Sequence, residues 1–126
     1  MSIIAVRGAV SIPESKQEDS EMVKSVGELA ESLCRLNRIS LKKVISVQLT
    51  QTPDLVRKNA ATALREAIPE FNQVPLFCSQ EPKIEDSLPR IVRILITWRT
   101  RQARKMAIPV YLGAAENLRS EILDKK

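Results

Sequence analysis

The sequence predicts a mixed α+β domain in which helices cover one side of a β-sheet. Three observations carry that expectation. Short runs rich in Val, Ile and Leu recur at residues 3–10, 44–51, 74–78, 90–99 and 108–112. Apolar residues at helical spacing occupy the stretches between or after them, in 22–36, 60–67 and 114–123. The 126 residues contain no internal repeat, linker or low-complexity tract, so 1–126 is expected to be one domain.

Ile3 to Val10 predict the first strand, with Gly8 permitting a bulge or a close approach. Pro13 to Gln17 connect it to a helix. Ser15 and Glu18 stand at capping-box spacing, with Asp19 or Ser20 as alternative caps. Met22, Val23, Val26, Leu29, Ala30, Leu33, Cys34 and Leu36 form one stripe of a helix of about 18 residues. Cys34 on that stripe reads as core. Asn37 to Ser40 end the helix, and a short turn near Leu41–Lys43 leads to the second strand, Val44 to Gln51. Thr52-Pro53-Asp54 breaks that strand with turn chemistry. Asn59 is placed to cap a second helix with Ala60, Ala63, Leu64 and Ala67 as its stripe. Val74 to Cys78, opened by Pro75, is the third strand, and residues 79–88 read as a polar loop. Arg90 to Arg99 is a long fourth strand. Arg101 to Ala107 is a basic connection, and Ile108 to Leu112 a short strand that Pro109 confines to an edge. Ala114 to Leu123 predicts a C-terminal helix.

A domain of this length buries roughly two-thirds of its unfolded surface and needs no disulfide or metal staple. With 44% apolar but only 3% aromatic residues, its core must be aliphatic. The net charge of +5 favours small anionic ligands and is compatible with nucleic acid. Against nucleic acid, the basic residues are scattered and often adjacent to acids. Only Arg99, Arg101, Arg104 and Lys105 cluster, without interleaved stacking aromatics, and they read as a solvated loop. No run reaches the roughly 18 apolar residues of a membrane span, and no leader pattern opens the chain. Cys34 and Cys78 form no close motif and suggest reduced thiols. The expectation is a soluble cytoplasmic protein.

Within the fourth strand, Arg93 interrupts Ile91-Val92-Arg93-Ile94-Leu95-Ile96. Alternation puts Ile91, Arg93, Leu95 and Thr97 on one face and Val92, Ile94, Ile96 and Trp98 on the other. A guanidinium does not shed its charge. Burial without a partner would cost it several kcal/mol, on the order of 3–5. Its partner is a carboxylate of the protein or a ligand, unless Arg93 lies on an edge strand and reaches water.

Several absences narrow the chemistry. The chain has no histidine, which excludes Ser-His and Cys-His dyads and imidazole metal sites. Its three glycines, Gly8, Gly27 and Gly113, form no phosphate loop. Any catalysis must run on Arg, Glu, Tyr, Cys or backbone groups, and positioning with charge stabilisation fits that set better than strong-base chemistry.

Five stretches taken in order carry a resemblance. They are Val6-Arg7-Gly8-Ala9, Thr52-Pro53-Asp54-Leu55, Val74-Pro75-Leu76-Phe77-Cys78-Ser79-Gln80-Glu81, Ser87-Leu88-Pro89-Arg90-Ile91-Val92-Arg93-Ile94-Leu95, and Val110-Tyr111-Leu112 with Leu118-Arg119. From about residue 3 to residue 120 the chain resembles the small monofunctional chorismate mutases of the bacterial trimeric type. The resemblance implies a ferredoxin-like unit, three of which assemble as a homotrimeric pseudo-α/β-barrel with an active site at each interface. It implies the Claisen rearrangement of chorismate to prephenate, on the way to phenylalanine and tyrosine, without cofactor or metal.

By the same resemblance Arg93 would be the catalytic arginine beside the ether oxygen, and Glu81 the acceptor for the ring hydroxyl. Arg7 and Tyr111 would bind substrate carboxylates. Cys78 would line the pocket near the hydroxyl and Arg93. Arg65 and Arg119 would stand at the pocket mouth, with Leu76, Phe77 and Leu118 as walls. Asn59, Ala61 and Thr62 fall in the segment that closes the pocket from the neighbouring subunit. There the chain departs from the family, which usually has an aromatic residue followed by Pro and Ala, and then a charged residue where Thr62 stands. The proline usual after Leu118-Arg119 is also missing, and the tail from about residue 120 is expected to be mobile. The altered lid leaves a second reading open, a non-catalytic trimeric module that binds a small carboxylate.

Overall fold

The computed structural model describes residues 1–101 and 107–118. Its strands are β1 (Ser2–Ser11), β2 (Val44–Gln51), β3 (Leu76–Gln80), β4 (Ile91–Thr100) and β5 (Val110–Leu112), and its helices are α1 (Glu18–Leu36) and α2 (Ala60–Ala67). The strands form one sheet in the order β3-β2-β4-β1-β5. β4 runs antiparallel to both β1 and β2, while β5 is parallel to β1 and β3 is parallel to β2. β1 and β2 therefore point the same way with β4 between them, which makes β1-α1-β2 a split β-α-β unit. That much agrees with a ferredoxin-like fold. The chain order differs from β-α-β-β-α-β, because α2 carries β2 over to a parallel β3 at the sheet edge.

The two faces of the sheet have different fates. Ile4, Val6 and Val10 of β1, Val47 and Leu49 of β2, and Val92, Ile94, Ile96 and Trp98 of β4 are buried under the helices. Met22, Val26, Leu29, Ala30 and Leu33 of α1 close that core, with Ala60, Ala63 and Leu64 of α2 and Phe71. The core is aliphatic apart from Trp98 and Phe71, as the composition required. The opposite face is largely uncovered. Ile3, Phe77 and Leu95 are exposed on it. Only its end near β5 is covered, by a small cluster of Ala9, Ile91, Tyr111 and Ala115 with Leu88 and Leu118 against it.

Two glycines are required by close approach. A Cβ on Gly8 would sit 2.7 Å from the Val110 carbonyl oxygen, so Gly8 lets β5 lie beside β1. A Cβ on Gly27 would sit 2.7 Å from Cβ of Ala67, so α1 and α2 pack with small residues at the crossing.

Several boundaries differ from expectation. The Ser15–Glu18 capping box does not form: Gln17 is the N-cap, and the Ser15 hydroxyl accepts from the Gln17 N–H at 2.9 Å, one residue too early. Glu18, Asp19 and Glu21 in the first turn complement the helix dipole instead. α1 ends in a Schellman motif, with Ile39 N–H donating to Cys34 O (2.8 Å) and Arg38 N–H to Arg35 O (3.3 Å). Arg38 holds φ of 53° where glycine is usual, at about 1 kcal/mol. The third strand begins at Leu76 rather than Val74, because Pro69–Gln73 forms a 3-10 turn that the sequence reading missed, and Pro75 has no N–H to give. Ser79 and Gln80 then belong to β3 rather than to the loop. β5 starts at Val110 and is an edge strand, as Pro109 suggested. Gly113–Ala115 is a 3-10 turn followed by helical residues 116–118. The rest of the expected C-terminal helix, the tail, and Arg104 and Lys105 of the basic cluster lie outside the described residues.

Candidate functional site

β4 is an inner strand, so Arg93 cannot be an edge arginine reaching past the sheet. Its register partners are Ala9 on β1 and Thr50 on β2. All three project on the uncovered face, with Ser79 of β3 opposite Thr50 and Tyr111 of β5 opposite Ala9. One row across the sheet therefore reads Ser79, Thr50, Arg93, Ala9, Tyr111. The next row reads Phe77, Gln48, Leu95, Arg7. Arg7 is a diagonal neighbour of Arg93, a relation that brings long side chains within reach. The sheet thus places Arg7, Arg93 and Tyr111 on one face although they lie far apart in sequence.

Glu81 supplies the partner that the strand pattern demanded. Its backbone N–H continues the sheet by donating to Gln51 O at 2.8 Å. Its carboxylate Oε1 accepts from Arg93 Nε at 2.9 Å. The Arg93 side chain is 42% exposed and that of Glu81 19%. Only Nε is engaged among the described residues, so the terminal nitrogens of Arg93 are free to bind. Glu81 Oε2 is buried and has no partner among the described residues, and neither does the hydroxyl of Thr50 in the same row. The pair borders a cavity of about 450 Å³, whose other walls are residues 52–54 and two stretches of the 82–89 loop.

Two segments far apart in sequence build that cavity together. Asp54 accepts the Arg90 N–H on both carboxylate oxygens, at 3.2 and 3.0 Å, and also the Thr52 hydroxyl. Thr52 Oγ1 in turn accepts the Ile91 N–H at 3.1 Å, so Thr52-Pro53-Asp54 is tied to Leu88-Pro89-Arg90. Arg90 holds φ of 57°. Its side chain donates to the carbonyls of Ile12 (2.8 Å) and Pro13 (2.9 Å) and pairs with Glu18 at 2.8 Å. Arg90 is a clamp under the cavity, and the sequence reading did not single it out. An arginine next to a strand start carries no pattern that marks such a role.

The remaining candidates divide. Leu118 packs on the Tyr111 cluster. Phe77 shares the open face but is 68% exposed. Cys78 does not join Arg93: it pairs with Leu49, whose side chain faces the helices, and its Sγ donates to Gln51 Oε1 at 3.4 Å. Asn59, Ala61, Thr62 and Arg65 also lie on the helix side of the chain. Asn59 caps α2 as expected, accepting from Ala61 N–H (2.8 Å) and Thr62 N–H (3.3 Å). Arg65 Nη2 lies 3.5 Å from Thr62 Oγ1, to which it donates. Arg119 lies outside the described residues.

Gln51 is the residue the sequence reading passed over. Its Nε2 donates to Leu55 O (2.9 Å) and Lys58 O (3.0 Å), and its Oε1 accepts the Ala60 N–H at 2.7 Å as well as the Cys78 thiol. One side chain thereby fixes the whole connection between β2 and α2. The departures at Asn59–Thr62, the sole basis for a non-catalytic module, thus sit in a segment held by its own hydrogen bonds.

The family model of chorismate mutase type I matches residues 3–122. The chain is 30% identical over 118 residues to chorismate mutase AroH of Thermus thermophilus, covering 93% of each chain. It is 28% identical over 122 residues to chorismate mutase AroH of Bacillus subtilis (strain 168), covering 97% of this chain and 94% of that one. The fold matches a solved chorismate mutase from Clostridium thermocellum with a TM-score of 0.81 and 26% identity, over 90% of this chain and 97% of the other.

Proposed function

The chain belongs to the type I chorismate mutase family and is a chorismate mutase; from that premise we propose that the Arg93–Glu81 cavity performs the rearrangement of chorismate to prephenate. The observation that carries this assignment is the half-used ion pair. Glu81 holds Arg93 by Nε alone, which leaves the terminal guanidinium nitrogens to donate into the cavity. The unpartnered Glu81 Oε2 supports a role as acceptor for a substrate hydroxyl.

The rearrangement breaks the ether C–O bond ahead of C–C bond formation, so negative charge grows on the ether oxygen. A fixed guanidinium there stabilises the transition state more than the ground state. Glu81 fixes it in advance, so no reorganisation accompanies the reaction. Arg7 and Tyr111, on the same face, bind the two carboxylates and hold the enolpyruvyl arm over the ring as a near-attack conformer.

The active unit in this reading is a homotrimer. The uncovered sheet face with exposed Ile3, Phe77 and Leu95 supports assembly. So does the division of the candidates: Asn59, Ala61, Thr62, Arg65 and Cys78 lie across the sheet from Arg93, and reach a substrate bound there only from a neighbouring copy. The reading also places the enzyme in the cytoplasm. No helix among the described residues is long and apolar enough to cross a membrane, and both cysteines are free. The test is loss of chorismate absorbance with formation of prephenate, measured beside the mass in solution. Trimeric, folded protein without turnover above background would refute the site; active monomer would refute the interface.

A further inference from the structure

A second cavity lies at the far end of the same sheet. It has a volume of about 350 Å³ and is lined by Arg38, Ser40, Lys43, Trp98, Arg99 and Arg101 among others, with no acidic residue among the described residues of its wall. None of the four cationic side chains has a hydrogen-bond or ion-pair partner among the described residues. Elsewhere the described arginines and lysines include several that are paired, such as Arg35, Arg57, Lys58 and Arg90. Four unpaired like charges around one concavity repel one another and attract an anion.

Two further observations bear on this cavity. The indole Nε1 of Trp98, a residue of the cavity lining, is buried and has no acceptor among the described residues, an orphan donor in a residue that is 2% exposed. Buried donors are nearly always satisfied, and an acceptor entering this cavity would supply the missing partner. Arg38 also occupies the left-handed position of the α1 terminus, where glycine would serve the turn better. The helix end does not need that side chain.

We infer that this cavity is a binding site for a small phosphate-class dianion, either the free ion or a phosphate ester. Planar guanidinium groups match phosphate oxygens in paired hydrogen bonds, and the volume suits a small ligand. Nucleic acid fits less well, because the one aromatic ring present is buried and offers no stacking face.

Trp98 is the only tryptophan of the chain, so its fluorescence reports on this cavity directly. Inorganic phosphate is titrated into the full chain at constant ionic strength, with calorimetry alongside. A saturable response at one ion per chain is expected. Arg38→Gly suits the backbone and removes the side chain with its guanidinium. It should weaken phosphate binding about tenfold or more, as loss of a charge-assisted hydrogen bond does, while chorismate turnover stays unchanged. Arg93→Ala should leave phosphate affinity intact. Tighter binding of glycerol 3-phosphate would assign the ester, and tighter inorganic phosphate the free ion. A response that does not saturate, or wild-type affinity in Arg38→Gly, would overturn the site. Loss of affinity in Arg93→Ala would move the ion to the other cavity and do the same. Duplex DNA binding without phosphate binding, abolished by Arg38→Gly, would hand the cluster to nucleic acid.

Discussion

Replacing Arg93 by Lys separates charge from geometry. Arg93 makes its bond to Glu81 through Nε and keeps its terminal nitrogens for the cavity. Lysine has one nitrogen at the end of a flexible stem. It satisfies Glu81 or reaches the ether oxygen, but the fixed arrangement of both is lost. Removing one preorganised donor from a developing oxyanion costs about 10²–10³ in kcat, equivalent to about 2.7–4 kcal/mol. The fold should hardly notice. The Arg93 side chain is 42% exposed, so its pair with Glu81 is screened by water and contributes about 0–1 kcal/mol. The expected result is a fall in kcat of at least about a hundredfold with the thermal midpoint lowered by a few degrees at most. Turnover by chorismate absorbance and a melting curve on the same preparation check it. Near-wild-type kcat would show that Arg93 is structural, and a collapsed melt would show that the activity loss says nothing about catalysis.

Three other perturbations probe the supports of the site. Gln51→Ala removes four hydrogen bonds from the 55–60 segment and Cys78; steady-state kinetics should show KM raised about tenfold with kcat changed far less, the pattern of lost uniform binding. Asn37 donates to Leu33 O and Ile108 O and accepts from Ile108 N–H, tying α1 to the start of the β5 approach. Asn37→Ala should cost about 2–4 kcal/mol by denaturant titration, since it strands buried backbone groups. Burial, assisted by Glu31, pushes the Cys34 thiol from 9.0 up to about 11. A raised folded-state pKa means that its contribution is fully present below pH about 9 and is lost as the pH climbs towards about 11. Urea midpoints of the wild type should therefore fall across that window, and those of Cys34→Ala should fall less.

Much of this was legible in the residues themselves. Hydrophobic period identified every strand and both described α-helices, because alternation and the 3.6-residue stripe are local properties. The anomaly of Arg93 was visible for the same reason, since a charge in a β-branched run violates a local pattern. What the pattern could not say was which strand lay beside which. Pairing is a long-range choice, and it alone put Arg7, Arg93 and Tyr111 on one face, gave Arg93 its partner in Glu81, and sent Cys78 and Asn59 to the other side. Gln51 and Arg90 escaped notice because a polar side chain that bonds to distant backbone carbonyls leaves no period. The residue types available for chemistry, and the anion they must meet, were determined by the sequence; the tertiary structure decided which of them share a cavity, because only the register of the sheet brings their side chains to the same face.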